Sequence, residues 1–248
     1  MPRTRRKQAI SDIFHALRQP TEIFNPPLEN RSSGEMAAEF PNSTFIGADI
    51  ASIPRRSPPL NCSFVFADTT RFLPFEDGFF GYVTQRLMVT AFSADDWQNA
   101  IREIVRVTAP GGYIELVESE INAYQKGPHH SRWNNAFYAV LASRNVHVNV
   151  TTDLGANLRP YVDSVTSNYV SYPLNWGGQV GDMVAQNTFK IMNSVRPQVL
   201  PVMGCTEEEY DAIIALSGDE MKRYRTWNNG HYAFGRKSLT TPSVTTRR

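Results

Sequence analysis

The chain has little cysteine, little net charge and no long apolar run, and each shortage excludes a class of protein. Its 248 residues include two cysteines, Cys62 and Cys205, which are far apart and resemble neither a metal site nor a nucleophile pair. The 25 Lys and Arg residues against 24 Asp and Glu leave a charge of +1, which is too little for a general nucleic-acid binder. No apolar stretch reaches the roughly 20 residues that span a bilayer. We therefore expect a globular protein with neither a membrane partner nor a direct nucleic-acid partner.

The first residues and the cysteines also bear on the compartment. The chain opens with four basic residues among its first seven, and no apolar segment of a secretion signal accompanies them. Two unpaired cysteines suit a reducing environment. We expect a cytoplasmic protein, with nuclear import through the basic terminus as the alternative.

Short apolar runs alternate with helical patterns through the first half of the chain. Ser93 and Asp96 have the spacing of a capping box, which predicts the start of a helix. Strands separated by helices favour parallel pairing in a layered α/β fold. Four runs predict such strands: Thr44–Asp49, Phe64–Asp68, Phe79–Val83 and Tyr113–Glu118.

The second half is less regular and predicts helices that cap the sheet. Thr206 and Glu209 form a second capping box, and the aromatic runs Tyr169–Tyr172 and Tyr232–Phe234 favour a final antiparallel pair of strands. Several aromatic side chains in this half would suit a flat apolar substrate, although core packing is the competing interpretation. They are Trp133, Phe137, Tyr138, Tyr172 and Trp176.

Polar side chains stand where the predicted strands end. Asp49 and Asp68 close two successive strands, and Gln85 follows the third. Ligands of open α/β sheets bind at the carboxyl ends of the strands, where a carboxylate can accept two hydrogen bonds from a ribose diol. Each Asp could instead serve as a turn or helix-cap residue. The succession of three such ends favours a nucleotide-like ligand.

Longer motifs around these residues resemble class I S-adenosylmethionine-dependent methyltransferases. They look closest to the fungal secondary-metabolism group that includes the LaeA-like proteins. The segments that carry the resemblance are FPNSTFIGADI from Phe40, PPLNCSFVFAD from Pro58, LPFEDGFFGYVTQRL from Leu73 and REIVRVTAPGGYIE from Arg102.

The resemblance implies a fold and a division of the chain. The fold would be a Rossmann-like sheet, mostly parallel with a final antiparallel strand, under a helical cap. Residues 34–237 would form the methyltransferase domain. Before it, the helical spacing of Ile10, Ile13, Phe14 and Leu17 predicts a helix, followed by a loop, in residues 1–33, and the Thr-, Ser- and Arg-rich residues 238–248 predict a flexible tail. The resemblance also implies a cofactor, S-adenosylmethionine.

Roles for individual residues follow from the same resemblance. Asp49, with Ile50 beside it, would bind the ribose hydroxyls, and Asp68, with Thr69 beside it, would bind the adenine amino group. Gln85 and Arg86 would line the methionine end of the cofactor. For Arg86, pairing with a neighbouring carboxylate is an equally good interpretation.

One part of the family pattern is absent from the sequence. The first strand and the Asp-x-Gly-x-Gly turn after it should precede Gly34, and no such turn occurs there. We therefore expect the central place in the sheet to be filled poorly, by Ile23-Phe24 and their neighbours, or not at all. The turn would hold the methionine carboxylate, so methyl transfer is expected to be slow.

The function that the resemblance implies is methylation of a small-molecule secondary metabolite, with oxygen as the expected acceptor. The alternative is a catalytically impaired methyltransferase-like regulator or scaffold with a regulatory protein partner. No obligatory catalytic residue can be named, because the sulfonium is already activated. His129 and His130 could act as a base, but a solvent-facing loop is the favoured interpretation, and His147 and His231 have no partner pattern.

Overall fold

One seven-stranded sheet organises the computed structural model, which describes residues 21–25, 36–50 and 58–240. Its order across those residues is β3-β2-β1-β4-β5-β7-β6. Strands β1 to β5 pair in parallel, and β7 is antiparallel to both of its neighbours. The strands are β1 (Thr21–Asn25), β2 (Thr44–Asp49), β3 (Cys62–Phe66), β4 (Phe80–Arg86), β5 (Thr108–Ser119), β6 (Val162–Pro173) and β7 (Trp227–Lys237).

The central strand is present, so the expectation of a poorly filled or empty centre was wrong. Strand β1 lies between β2 and β4, with Ile23 opposite both Ile46 and Val83. Five residues are too few to carry a periodic signal, but pairing on both sides supplies the strand with hydrogen bonds. The strand lies before residue 34, where the predicted domain begins. The predicted N-terminal helix and the segment that lacks the glycine turn lie outside the described residues.

The four strands predicted from apolar runs are confirmed as parallel strands. Thr44–Asp49 matches β2 to the residue, while the other three shift or lengthen by a few positions. The predicted antiparallel pair is confirmed as β6 and β7, where Tyr232 lies opposite Asn168. The sheet therefore ends in two antiparallel strands at one edge.

Six labelled helices connect or cover these strands in the described part of the chain. Both predicted capping boxes are present, with Ser93 before α1 and Thr206 before α6. Residues 36–39 are also helical, and Val148–Thr152 and Arg159–Tyr161 form 3-10 turns. The helices are α1 (Ala94–Val107), α2 (Pro128–Ser143), α3 (Leu154–Leu158), α4 (Gln179–Ser194), α5 (Arg196–Met203) and α6 (Glu207–Arg223). Within the described ranges, none is long and apolar enough to cross a bilayer.

Three clusters of buried hydrophobic residues occur in the described part of the chain, and the two larger ones pack the labelled helices. One lies between the sheet and α1, where Trp97, Ile101 and Ile104 are buried. The other joins α2 to α4, α5 and α6 around Trp133 and Phe137, and forms the predicted helical cap. Core packing, the competing interpretation of these two aromatic residues, is therefore confirmed.

Helix α4 has large apolar side chains on an exposed face. Val180 and Met183 are 58% and 63% exposed, whereas Gly181, Ala185 and Met192 are buried. The opposite face packs instead, because Gly181 has no side chain and a Cβ there would lie 1.7 Å from the Trp176 carbonyl oxygen. The absence of a side chain at residue 181 thus allows this close approach to Trp176.

The cap stands at the edge of the sheet where the parallel strands end. Strand β7 runs against β5, so Gly230 near its start pairs with Ser119 at the end of β5. Pro173, the last residue of β6, pairs with Trp227 at the start of β7. Helices α4 to α6 connect these two strand ends, and α2 follows β5. The cap therefore lies beside the carboxyl ends of the parallel strands.

Candidate active site

The carboxyl ends of the parallel strands bring most of the predicted cofactor residues to one edge of the sheet. Asp49 is the last residue of β2, and Gln85 and Arg86 are the last two of β4. Strand β1 lies between them, with its last residue, Asn25, opposite Gln85. Neighbouring strands are about 4.8 Å apart, so the ends of β2 and β4 are separated by about 10 Å. A ligand of nucleoside size could reach from one to the other.

Asp68 lies two residues beyond β3 and closes a turn. Its Oδ1 accepts hydrogen bonds from the Thr70 backbone N–H at 2.9 Å and from the Thr70 hydroxyl at 2.7 Å. Its Oδ2 lies 3.4 Å from Nε of the exposed Arg71. This is the turn role that the sequence left open for Asp68. A carboxylate has further acceptor positions, so the turn does not prevent it from binding an amine.

The residues that directly follow Asp49 and Asp68 differ in exposure. Thr69 is buried beside Asp68, whereas Ile50 is 64% exposed after Asp49. An exposed apolar side chain next to a predicted ribose ligand could cover one face of an adenine ring. The roles of all six predicted residues stay predictions.

A buried arginine fixes the segment between Asp68 and β4. Arg106 donates to the Leu73 and Phe75 carbonyl oxygens, each at 2.8 Å, and pairs with Glu103 and Asp77. The hydrogen bond with Glu103, followed by that with Asp77, raises the pKa of Arg106 against the opposing effect of burial. The loop that positions Asp68 is thus tied to helix α1.

A buried carboxylate fixes the turn that follows the predicted methionine end. Glu118, near the end of β5, accepts hydrogen bonds from the backbone N–H groups of Met88 at 2.9 Å and Val89 at 3.0 Å. Burial raises the pKa of Glu118 to about 8, although both hydrogen bonds act to lower it. The turn begins at Leu87, whose φ of 59° is left-handed. Glu118 ends a predicted strand, as Asp49 and Asp68 do, and that signal could have found it.

A second polar cluster lies beside it, at the ends of β5 and β7. Glu120 Oε1 is hydrogen-bonded to His231 Nε2 and accepts from Asn229 Nδ2 at 3.3 Å. The Asn228 side chain donates to the Glu120 backbone carbonyl at 2.7 Å. A hydrogen bond with Glu120 is also the largest cause of the raised pKa of Tyr124. Sequence reasoning found no partner for His231, because Glu120 is 111 positions away.

Aromatic rings border this cluster. The Tyr172 hydroxyl lies 2.5 Å from the Ser119 hydroxyl, and the rings of Tyr124 and Trp227 stack with centroids 5.4 Å apart. Trp176 donates its indole N–H to the Thr226 carbonyl at 2.5 Å, which gives it a structural role. Tyr172 and Tyr124 therefore lie beside the polar groups at the sheet edge, whereas Trp176 holds the cap to β7.

The histidine pair at residues 129 and 130 is neither a solvent-facing loop nor a free base. His130 is buried, and burial lowers its pKa to about 4. Glu220 of α6 accepts from the His129 and His130 backbone N–H groups at 3.1 and 2.9 Å, and pairs with the His129 ring. Burial favours a raised pKa for Glu220, but these hydrogen bonds hold it below its ordinary value. The carboxylate thus caps α2, whose N-cap Gly127 has no side chain.

No cluster of three His, Cys, Asp or Glu side chains that could hold a metal ion occurs in the described ranges. What the edge offers is therefore a set of carboxylates, amides, hydroxyls and one imidazole. Such groups can bind a nucleoside and remove a proton from a neighbouring nucleophile.

Comparisons with known proteins agree with this geometry. Residues 33–116 match the family model of the methyltransferase domain. The N-methyltransferase tcpN of Claviceps purpurea is 30% identical over 131 residues, covering 46% of this chain and 46% of that protein. The chain thus spans about half the length of the curated relative it matches.

Solved structures share the fold at low identity. A SAM-dependent methyltransferase of Methanosarcina mazei has a TM-score of 0.53 at 15% identity, over 92% of this chain and 97% of that chain. The cyclase SpnF has a TM-score of 0.52 at 14% identity, over 94% and 81% of the two chains. The sheet is therefore the Rossmann-like α/β sheet of methyltransferases, and the same fold occurs in a cyclase.

Proposed function

We propose that the chain transfers the methyl group of S-adenosylmethionine to a small-molecule secondary metabolite, with an oxygen atom as the expected acceptor. The observation that carries the proposal is the edge where Asp49 ends β2 and Gln85 and Arg86 end β4, on either side of a central β1. The match of residues 33–116 to a methyltransferase domain, and the cofactor named for the Methanosarcina mazei protein, support it. We further propose that the reaction takes place in the cytoplasm, with the nucleus as the alternative.

The residues present suit that cofactor. The Asp49 carboxylate can accept from two ribose hydroxyls, and Asp68 keeps acceptor capacity for an amine beyond the turn it closes. Gln85 is buried at the end of β4, where an amide can reach the methionine portion. Bound there, the cofactor would supply an activated methyl group for in-line displacement. The chain's own part is to orient the two reactants and exclude water.

Nitrogen is the competing acceptor, since tcpN of Claviceps purpurea is named an N-methyltransferase. Both acceptors are nucleophiles that lose a proton in the reaction, so the site makes the same demand in either case. Tandem mass spectrometry of the product separates the two, because the fragment that keeps the added methyl group identifies the acceptor atom.

The second candidate function is a methyltransferase-like regulator or scaffold that acts through a protein partner. One observation favours it: the sequence lacks the Asp-x-Gly-x-Gly turn before Gly34. A fold alone does not determine a reaction.

A transfer assay separates the two candidates. The protein is incubated with methyl-tritiated S-adenosylmethionine and a cell extract divided into a small-molecule fraction and a protein fraction. We expect label in the small-molecule fraction with wild type, and much less with Asp49→Ala. Absence of label, with the cofactor nevertheless bound, would favour the regulator. Equal label with Asp49→Ala would remove that residue from the site.

A further inference from the structure

Strand register places His231 on β7, two strands along the sheet edge from the predicted methionine end on β4. His231 lies in β7 directly opposite Glu118 of β5, so their Cα atoms are roughly 5 Å apart. Glu118 is bonded to Met88 and Val89, in the turn that follows Arg86 at the end of β4. If the methionine end lies over β4, the next groups along the edge are those of β5 and β7. A substrate that meets the methyl group from that side would meet His231.

The partner of His231 fixes which ring nitrogen is available. An ionised carboxylate only accepts hydrogen bonds, so the contact between Glu120 and His231 Nε2 requires the hydrogen on Nε2. The lone pair then lies on Nδ1. Among the described residues, no hydrogen bond to His231 Nδ1 is formed. The His231 side chain keeps 15% of its surface exposed.

The other polar groups around His231 cannot take a proton from a substrate near neutral pH. Asn229 contacts Glu120, and the ring of Tyr169 lies 5.5 Å from the imidazole. Burial raises the pKa of Tyr172 and Tyr138, and Glu120 raises that of Tyr124, so the three phenols stay protonated near neutral pH. They can orient a substrate but not deprotonate it.

We propose that His231, oriented by Glu120, accepts the proton of the nucleophile during methyl transfer; this inference rests on the proposed function. The substrate oxygen or nitrogen attacks the methyl carbon, and the carbon–sulfur bond breaks with its electron pair passing to sulfur. The products are the methylated substrate and S-adenosylhomocysteine. The proton moves to Nδ1, and the imidazolium that forms is stabilised by the Glu120 carboxylate.

Kinetics with one probe test the role of the imidazole. Tyramine offers a phenol and an amine in one molecule, and transfer from labelled S-adenosylmethionine is followed in single turnover. Compared with wild type, His231→Ala should lose about 100- to 10,000-fold in rate, with partial recovery in added imidazole. His147→Ala, a histidine outside the cluster, should match wild type. Equal rates for all three proteins would overturn the proposal.

Nitrogen NMR tests the geometry without any turnover. With ¹⁵N-labelled histidine, His231 should carry its hydrogen on Nε2 at neutral pH. Glu120→Gln should reduce the preference for a hydrogen on Nε2, because an amide can either accept from Nε2 or donate to it, and transfer should slow although the ring remains. A hydrogen on Nδ1 in wild type would overturn the proposal, even if tyramine were not methylated. Calorimetry with S-adenosylhomocysteine distinguishes failure of the His231 proposal from failure of the proposed function. Absence of cofactor binding would contradict the proposed function itself.

Discussion

Burial of His130 should make folding stability depend on pH in a specific window. The ring lies at the start of α2 with 3% of its surface exposed, and its Nδ1 has no hydrogen-bond partner in the described part of the chain. Burial, and the nearby charge of Lys126, lower its pKa from 6.5 to about 4. Between these values the unfolded chain holds a proton that the folded chain does not. Stability is therefore present above pH 6.5 and lost as the pH falls toward 4.

The size of this effect follows from the two pKa values. At 1.36 kcal/mol per pKa unit, the difference between 6.5 and about 4 corresponds to roughly 3 kcal/mol of stability. The variant His130→Leu has no titrating group at this site and leaves no unsatisfied polar atom. It should therefore lack that part of the pH dependence, while the backbone hydrogen bond from residue 130 to Glu220 is kept.

Urea unfolding at a series of pH values measures this pH dependence of the free energy of unfolding. The difference between the free energies of unfolding of wild type and His130→Leu should change by roughly 2.5 kcal/mol between pH 7.5 and 4.5. His147→Ala provides the control and should follow wild type. A difference between wild type and His130→Leu that is constant across this range would refute the buried, neutral imidazole.

Three further perturbations test other parts of the structure. Arg106→Met leaves the Glu103 carboxylate buried without its cation and should cost about 3 to 5 kcal/mol in urea unfolding, whereas a loss below about 1 kcal/mol would contradict the network. Gly127→Ala places a Cβ 2.3 Å from Cδ of Glu220 and should lower the melting temperature by several degrees; an unchanged melting temperature would show that the contact is not tight. For Glu118, whose pKa is raised, stability is present below about pH 4.5 and lost as the pH rises toward about 8. Glu118→Gln should remove that loss of stability in the same unfolding series, and an unaltered pH profile would argue against the raised pKa of Glu118.

Local patterns were enough to predict most of the sheet. Strand β2 was predicted to the residue, because Thr44–Asp49 is a compact apolar run that ends in a carboxylate. Both capping boxes were predicted because the two side chains of each lie three residues apart. Strand β1 was missed because its five residues carry no periodic pattern and are held by register with β2 and β4.

The residues of the candidate site also fall into two groups: those that local sequence patterns predict, and those that only the tertiary fold brings together. Asp49 and Gln85 could be predicted, since each stands at the end of a recognisable run. The pairs Glu120 with His231 and Glu220 with His129 could not, because their members are 111 and 91 positions apart and meet only through the tertiary fold. Burial of His130 was not predicted for the same reason, because the residues that cover it belong to the helical cap, which includes α6.

Cofactor binding at the ends of β2 and β4 is the central claim, and calorimetric titration with S-adenosylhomocysteine tests it most directly. Wild type should bind one equivalent, and Asp49→Ala should bind more weakly by about 1.5 to 3 kcal/mol, the range for hydrogen bonds to a charged group. Asp68→Ala should lose less, because a single amine contact is at stake. Absence of binding by wild type, or equal affinities of wild type and Asp49→Ala, would contradict the assignment of this edge as the cofactor site.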